Sequence, residues 1–338
     1  MGREKCRLTQ DAQSSSGRMK VPDYTHRVEV VKLKIEPHPN ADKLDIARIF
    51  SFTCCVGKGQ FQDGDLAAYI QPDSVVDSTR PEFEFLKGHE RIRVRRLRGV
   101  VSMGLVMPCP DGMAEGDDAA EFYGVTHYEP GMVQSVSDEM EPPPVGIYVP
   151  KYDVESMYRF RSLFQDGEEV VATEKIHGAN SRFMFHDDRM WCGSRGEWKK
   201  PSDGNLWWRA LAAHPWIEKV CRESPDDVIY GEVFGNVQCL KYGAKGNEVF
   251  FRAFDILRGG EWLDYPAFEG LLGSEMRVPV LYRGPFDFDA LVALSDGKST
   301  LADHMREGIV VRPIIERRDD HIGRVQFKLV SNEYLSKA

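Results

Sequence analysis

A chain that runs Glu169-Val170-Val171-Ala172, then Thr173-Glu174-Lys175-Ile176-His177-Gly178-Ala179-Asn180, then Ser181-Arg182-Phe183-Met184-Phe185 has few ways to fold. The first stretch is short and apolar, as a buried strand is, and the last, two polar residues leading into three apolar ones, reads as a second strand. The octamer between them must therefore leave one strand and enter another. Gly178, without a Cβ, permits a tight reversal or the close approach of a ligand. Lys175 is thereby held at the edge of a sheet. Taken alone, the octamer also suits an ordinary β-turn with a solvated lysine; the residues downstream of it change that balance.

Beyond the octamer come, in a fixed order, Cys192-Gly193-Ser194-Arg195-Gly196, Ile229-Tyr230-Gly231-Glu232-Val233-Phe234-Gly235, Phe251-Arg252-Ala253-Phe254-Asp255-Ile256, Glu307-Gly308-Ile309-Val310-Val311-Arg312-Pro313 and Val325-Gln326-Phe327-Lys328. This series resembles the covalent nucleotidyltransferase superfamily of ATP-dependent RNA and DNA ligases and capping enzymes. The form Glu-Lys-x-His-Gly-x-Asn at 174–180 is most similar to the RNA ligases that seal nicked duplex ends. The resemblance covers roughly residues 145 to 335; each motif is weak alone and strong in series.

The resemblance implies a role for each matching position. Lys175 is the expected catalytic nucleophile, attacking the α-phosphorus of ATP to give a lysyl-adenylate. Its amine must be neutral to attack, so its ordinary pKa of ~10.4 is expected to be lowered by cations or burial. Glu174, Lys175, Ile176, Asn180, Arg195, Glu232, Phe254, Glu307 and Lys328 are expected to bind ATP or AMP, with Phe254 stacking on adenine. Glu232 and Glu307 are the expected ligands of a divalent metal, Mg²⁺ or Mn²⁺, whose role is to neutralise phosphate charge. Asp255 is expected to accept a hydrogen bond behind the site. One departure stands out: RNA ligases of this kind carry two lysines one residue apart in the last motif, and here Gln326 takes the first place. Arg324 or Arg312 is expected to supply the missing charge.

The fold expected is α+β: an N-terminal OB-fold β-barrel followed by a nucleotidyltransferase domain of antiparallel sheets flanked by helices. The barrel reading comes from five short strand-like runs, Val28–Lys34, Leu44–Phe50, Leu66–Ile70, Ile92–Leu97 and Gly104–Met107, with turn residues between them. Within it, Pro37-His38-Pro39-Asn40-Ala41-Asp42-Lys43-Leu44 is similar to the segment connecting strands in tRNA-binding OB domains, and its Asn and Asp also suit a plain turn. Residues 87–98 hold six Lys or Arg in twelve positions. Alternation in Arg91, Arg93 and Arg95 is expected to set three guanidinium groups on one face of a strand, where planar forks grip phosphate. Phe83 and Phe85 nearby suit either base stacking or burial. From Gly99 to Pro150 there is no Lys or Arg, and nine acids fall between Asp111 and Glu141, so the RNA-binding face must lie elsewhere. The expected boundaries are a flexible leader over 1–24, the OB domain with its acidic extension over 25–136, a Pro-rich linker over 137–150 and the catalytic domain over 151–338.

Composition narrows the remaining choices. A net charge of −9 argues against nucleic-acid binding only if charge is read globally, since a local basic face is enough to meet phosphate. Seven scattered cysteines without a Cys-x-x-Cys pair suit free thiols, and no apolar run reaches the ~18 residues of a membrane helix. A cytoplasmic protein, or a nuclear one in a eukaryote, is expected, as a monomer with no obligate protein partner and no membrane association. Gly297-Lys298-Ser299 imitates the end of a P-loop, but Val292 stands where its first glycine belongs. The run Asn205–Arg222 reads as a helix pair broken at Pro215 and packed in the core, and Phe286–Leu294 as another helix. Ten residues follow Lys328, too few for the C-terminal OB domain of DNA ligases and capping enzymes. The reaction expected is therefore ATP-dependent joining of 3′-hydroxyl and 5′-phosphate RNA ends on nicked RNA or an RNA-containing duplex. A GTP-using capping-type enzyme and a non-catalytic RNA- or tRNA-binding OB protein are the alternatives.

Overall fold

The computed structural model describes residues 27–128 and 139–337. The expected leader, Cys6 and the middle of the acidic run lie outside them.

The N-terminal region is a small barrel built from two three-stranded sheets that share one bent strand. Its halves, Glu29–Lys32 and Lys34–Pro37, meet at buried Leu33. The first half pairs with Leu66–Ile70, which pairs with Leu105–Pro108; the second pairs with Leu44–Ile49, which pairs with Phe52–Gly57. Val31, Leu33, Ala47, Phe52, Tyr69 and Val106 fill the interior. The Phe52–Gly57 strand was not expected. Its Phe52, Cys54 and Val56 point inward in regular alternation, but the adjacent pair Cys54-Cys55 blurs that pattern to the eye.

The run expected as one strand over Ile92–Leu97 is only partly one. Arg95–Leu97 pairs with Val100–Ser102, whereas Arg91 makes a single bridge to Val75. Burial still alternates, with Ile92 and Val94 inside and Arg93 and Arg95 exposed. Those two arginines share a face as expected. Arg91 does not join them: it pairs with Asp73 at 2.7 Å and lies over the Tyr128 ring at 3.7 Å. Phe83 is buried, while Phe85 remains 66% exposed beside the basic run.

The C-terminal region packs two sheets together. One has seven strands and carries Ala179–His186 and Val228–Gly235 at its centre; the other has five and carries Glu169–Lys175 and Gly308–Pro313. Pairing between the strands is antiparallel apart from Glu155–Ser156, which lies parallel to Phe327–Val330, and Ala253 makes a single parallel bridge to Arg277. The helix pair Leu206–Ala213 and Pro215–Glu223 forms as read, with Asn205 accepting from the amides of Trp207 and Trp208 and Pro215 opening the second helix. Leu206, Trp207, Leu211 and Ile217 pack on Phe183, Ile229 and Phe251. The third expected helix occupies Phe288–Ser295, capped by Asp287. In the Pro-rich segment between the regions, Met140–Glu141 pairs with Trp198–Lys199, and Ile147 and Val149 pack against the seven-stranded sheet's aromatic cluster.

The two regions meet through a continuous core. Phe52 of the barrel stacks on Tyr158 at 5.2 Å, the Ser51 amide donates to the Tyr158 carbonyl at 2.9 Å, and Arg159 is ion-paired with Glu29.

Candidate active site

Strand register brings the expected catalytic residues together. Lys175 ends its strand opposite Gly308, so Glu307, one residue earlier in the partner strand's approach, falls beside it. The Lys175 Nζ donates to Glu307 Oε1, and Glu307 Oε2 lies 3.3 Å from His177 Nδ1. The chain then crosses to the other sheet at Gly178. A Cβ there would sit 2.2 Å from the Val233 carbonyl oxygen, so glycine is required by the close approach of the neighbouring strand. Beyond it, Asn180 pairs with Glu232, whose carboxylate accepts from the Gly178 amide.

Two adjoining cavities of about 400 and 380 Å³ open on this junction. The first is lined by Glu174, Lys175, Ile176, Asn180, Arg195, Glu232, Phe254 and Lys328. The second, which reaches the barrel, is lined by Glu307 and shares Lys175, Arg195, Glu232 and Lys328 with the first. All nine residues expected at a nucleotide site therefore converge, while Arg93 and Arg95 stand apart on the barrel. Four residues that line the first cavity each carry a buried side-chain atom without a hydrogen-bond partner among the described residues: Asn180 Oδ1, Gln238 Oε1, Arg312 Nε and Gln326 Oε1. Buried polar groups are nearly always paired, so these orphans mark places for a polar ligand.

Other expectations need adjustment. The Glu174 carboxylate is occupied by the Ser299 hydroxyl at 2.5 Å and by the Thr300 amide and hydroxyl at 2.8 and 2.7 Å. The false P-loop is thus a support for the lysine strand. Asp255 is fully buried and accepts from Arg312 at 2.8 Å, Arg324 at 2.6 Å and the Tyr152 hydroxyl at 2.8 Å. Arg324 also grips Glu316 at 2.7 Å, so it is spent on structure; Arg312 lines the cavity. Gln326 donates to the Tyr152 hydroxyl at 2.5 Å. A neutral side chain suits that place, because two guanidinium groups already face one carboxylate and a lysine would add a third buried cation.

Several site residues escaped the sequence reading. His177 is buried against Glu307, Tyr334 and Cys239, with its ring nitrogens 3.3 Å from the Tyr334 hydroxyl and 3.2 Å from the Cys239 sulfur. Its place inside the motif was a usable signal. Tyr334, on the helix Asn332–Lys337, had none.

The electrostatics reverse one expectation. Burial lowers the Lys175 pKa, but the Glu307 and Glu232 carboxylates outweigh it and the amine is held above its usual range. Burial pushes Glu307 up, yet Lys175 and His177 prevail and hold it at about 2. Burial also pushes Glu232 up, to about 8, with Glu307 adding to the rise and Lys175 offsetting part of it. Lys328 is lowered by burial and then by Lys175. Glu232, buried and crowded by a second carboxylate, is a hard oxygen donor that a divalent cation would suit. Among the described residues no three His, Cys, Asp or Glu side chains form a full cage, which fits an ion held by one or two carboxylates, water and substrate phosphate.

A stability measurement checks this. A carboxyl raised from 4.5 to about 8 favours the folded state below 4.5, and that contribution is lost as pH rises through 8. The metal-free protein should therefore show a falling melting temperature between pH 5 and about 8.5 that Glu232→Gln flattens and Mg²⁺ or Mn²⁺ partly restores. An unchanged slope in the variant would place the raised group elsewhere.

Residues 168–330 match the RNA ligase family model and residues 27–109 match an OB-fold domain model. No curated protein matches the chain. Among solved structures, a Naegleria gruberi RNA ligase mutant with ATP and Mn is 24% identical, with 92% of this chain and 98% of that chain covered at a TM-score of 0.77. Another mutant of that ligase, with AMP and Mn, gives the same four values. The Naegleria gruberi RNA ligase with PPi is 25% identical over 91% of this chain and 97% of that chain, also at 0.77. The likeness spans both regions, so barrel and sheets share one architecture with those proteins. Family matches and architecture agree: residues 168–330 form an RNA ligase domain, with an OB-fold domain set before it.

Proposed function

We propose that the chain is an ATP-dependent ligase that seals nicks in RNA or RNA-containing duplexes, acting through a lysyl-AMP intermediate on Lys175. The observation that carries this reading is the convergence of Lys175, Glu307, Glu232 and Lys328 where the two cavities join. The first cavity, with Phe254 and the orphaned polar atoms, suits adenosine; the junction suits the triphosphate.

In the first step Lys175 gives up one proton to water, the neutral amine attacks the α-phosphorus, the nitrogen–phosphorus bond forms as the bond to the bridging oxygen breaks, and pyrophosphate leaves while the nitrogen loses a second proton to water. Lys328 and Arg195, which line both cavities, offer cationic donors to the phosphate oxygens, where positioning and charge supply most of the acceleration. Glu232 and Glu307 would hold a divalent metal, which would neutralise phosphate charge and, by drawing on both carboxylates, release Lys175 from the field that keeps it protonated. AMP then passes to the RNA 5′-phosphate, and a 3′-hydroxyl displaces it to close the strand.

Incubation with α-labelled ATP or GTP tests the reading. Label on the protein from ATP supports it; label from GTP alone would mean capping chemistry, and no label a binding protein. The RNA ligase family match favours the first.

The barrel's exposed Arg93 and Arg95 suit duplex phosphates, and Phe85 is another exposed residue of the same barrel. Replacing both arginines by alanine should weaken RNA binding by about tenfold and reduce the salt slope by about two, leaving self-adenylylation intact. Equal loss in both assays would remove the barrel face from RNA binding.

A further inference from the structure

Gln326 stands where the resemblance puts a lysine, and the exchange reverses the chemistry of the place. A lysine side chain only donates, whereas a glutamine amide donates from one end and accepts at the other. Which end is free follows from its neighbours. The Tyr152 hydroxyl spends its one proton on the Asp255 carboxylate at 2.8 Å. Toward Gln326 it can therefore only accept, and the amide nitrogen faces it at 2.5 Å. The amide oxygen is left over. It is buried without a hydrogen-bond partner among the described residues, in a residue only 7% exposed.

An orphan of opposite sense lies on the next strand. Val310 pairs with Lys328 and Val311 with Phe327, so the same register carried one residue further sets Arg312 opposite Gln326. Arg312 gives Nη1 to Asp255 at 2.8 Å and Nη2 to the Leu263 carbonyl at 3.1 Å, and its buried Nε has no partner among the described residues. Phe327 and Leu329 fill the core on one face of their strand, so Gln326 and Lys328 share the other, one pleat or ~7 Å apart. Lys328 lines both cavities; Gln326 and Arg312 line only the first. The pair therefore belongs to the nucleoside end, where Tyr152 and Phe254, with ring centroids 4.5 Å apart, line the same cavity.

A buried acceptor beside a buried donor is costly to leave unpaired and is complementary to a ligand that donates and accepts side by side. Adenine has such an edge, its 6-amino group next to N7; guanine shows two acceptors there, and its O6 would face the Gln326 oxygen. A ribose hydroxyl, which donates and accepts through one atom, offers the same chemistry. We propose that Gln326 is a specificity-determining residue of the nucleotide site: its amide oxygen accepts from the nucleoside of ATP, and Arg312 Nε donates to the same nucleoside. A lysine at this position would remove the acceptor. The proposal rests on the reading of the first cavity as the ATP site, and the source of the donor, base edge or ribose hydroxyl, is separated by experiment.

The adduct-free full chain is titrated with nucleoside monophosphates, which lack the pyrophosphate leaving group and so report binding without transfer to lysine. AMP, purine riboside 5′-monophosphate, which has no 6-amino group, and 2′- and 3′-deoxy-AMP are compared in the wild type and Gln326→Leu. The wild type should prefer AMP about tenfold over at least one analogue, and Gln326→Leu should lose that preference. A preference lost against purine riboside monophosphate assigns the oxygen to the base; one lost against a deoxy analogue assigns it to that hydroxyl. In the first case 7-deaza-AMP, without N7, should also bind the wild type about tenfold less tightly, and undiminished binding would remove Arg312 from the contact. Gln326→Glu, which keeps an oxygen at the place, should retain the preference. The proposal fails if wild type and Gln326→Leu rank the four ligands alike. It fails too if Gln326→Leu loses affinity for all four equally with a lowered melting temperature, which would make Gln326 a structural link to Tyr152. A wild type that binds none of the four overturns the ATP-site reading and the proposal with it, so the two failures are distinguishable.

Discussion

Lys175→Ala protein acquires no adenylate from ATP, and intact-mass spectrometry of wild type and variant after exposure to ATP and a divalent cation reads this directly. The reason is chemical: without the amine there is nothing to form the nitrogen–phosphorus bond, so the step is lost rather than slowed. A second effect must be separated from it, because Lys175 also neutralises Glu307, whose carboxyl it holds at about 2. Lys175→Arg keeps that positive charge and supplies no nucleophile, since guanidinium stays protonated. Both variants should be adduct-free, with the arginine variant closer to wild type in stability. The rival position is Lys328, which lines both cavities and has its pKa lowered by burial and by Lys175. An adduct mapped to Lys328 in wild-type protein, or any adduct on Lys175→Ala, would overturn the assignment.

Asp255→Ala has the largest expected effect on stability. The carboxylate sits between Arg312 and Arg324 with no exposure to water, and these cations depress its pKa against the upward push of burial. Removing it leaves two guanidinium groups buried beside each other, and breaking a buried pair in this way costs about 3–5 kcal/mol. That is a large part of the ~5–15 kcal/mol that holds a typical protein together. Chemical denaturation should show it, with Asp255→Asn losing less because Tyr152 keeps an acceptor. A loss below ~1 kcal/mol would mean that the arginines find other partners and that the cluster is not a keystone of the sheet pair.

How far the chain could be read in advance depended on the range of each cause. Gly178, Lys175 and Asn180 were legible because a strand, a reversal and a strand follow each other directly, and the sterics that demand glycine act on the next strand of the same sheet. Glu307 and Glu232 were legible only through the resemblance, since their convergence depends on strand registers that no local pattern states. Asp255 was placed behind the site, but the pairing of one carboxylate with two arginines from distant strands could not be seen, and so Gln326 looked like a defect. The sign of the Lys175 shift was misread for a similar reason. Neighbouring cations were expected from the chemistry of attack, whereas the ligand-free fold surrounds the amine with carboxylates. In the barrel, alternation correctly put Arg93 and Arg95 outside, but the bridge to Val75 and the pull of Asp73 took Arg91 to another face.

The stacked rings of Phe52 and Tyr158, with the Arg159–Glu29 pair beside them, leave no slack between the chain's two halves. Swinging the barrel aside would strip water-shy rings bare and strand two opposite charges in every catalytic cycle. The cavity between barrel and sheets, walled in part by Phe52 and Tyr158, therefore keeps one width, as a slot does and a jaw does not.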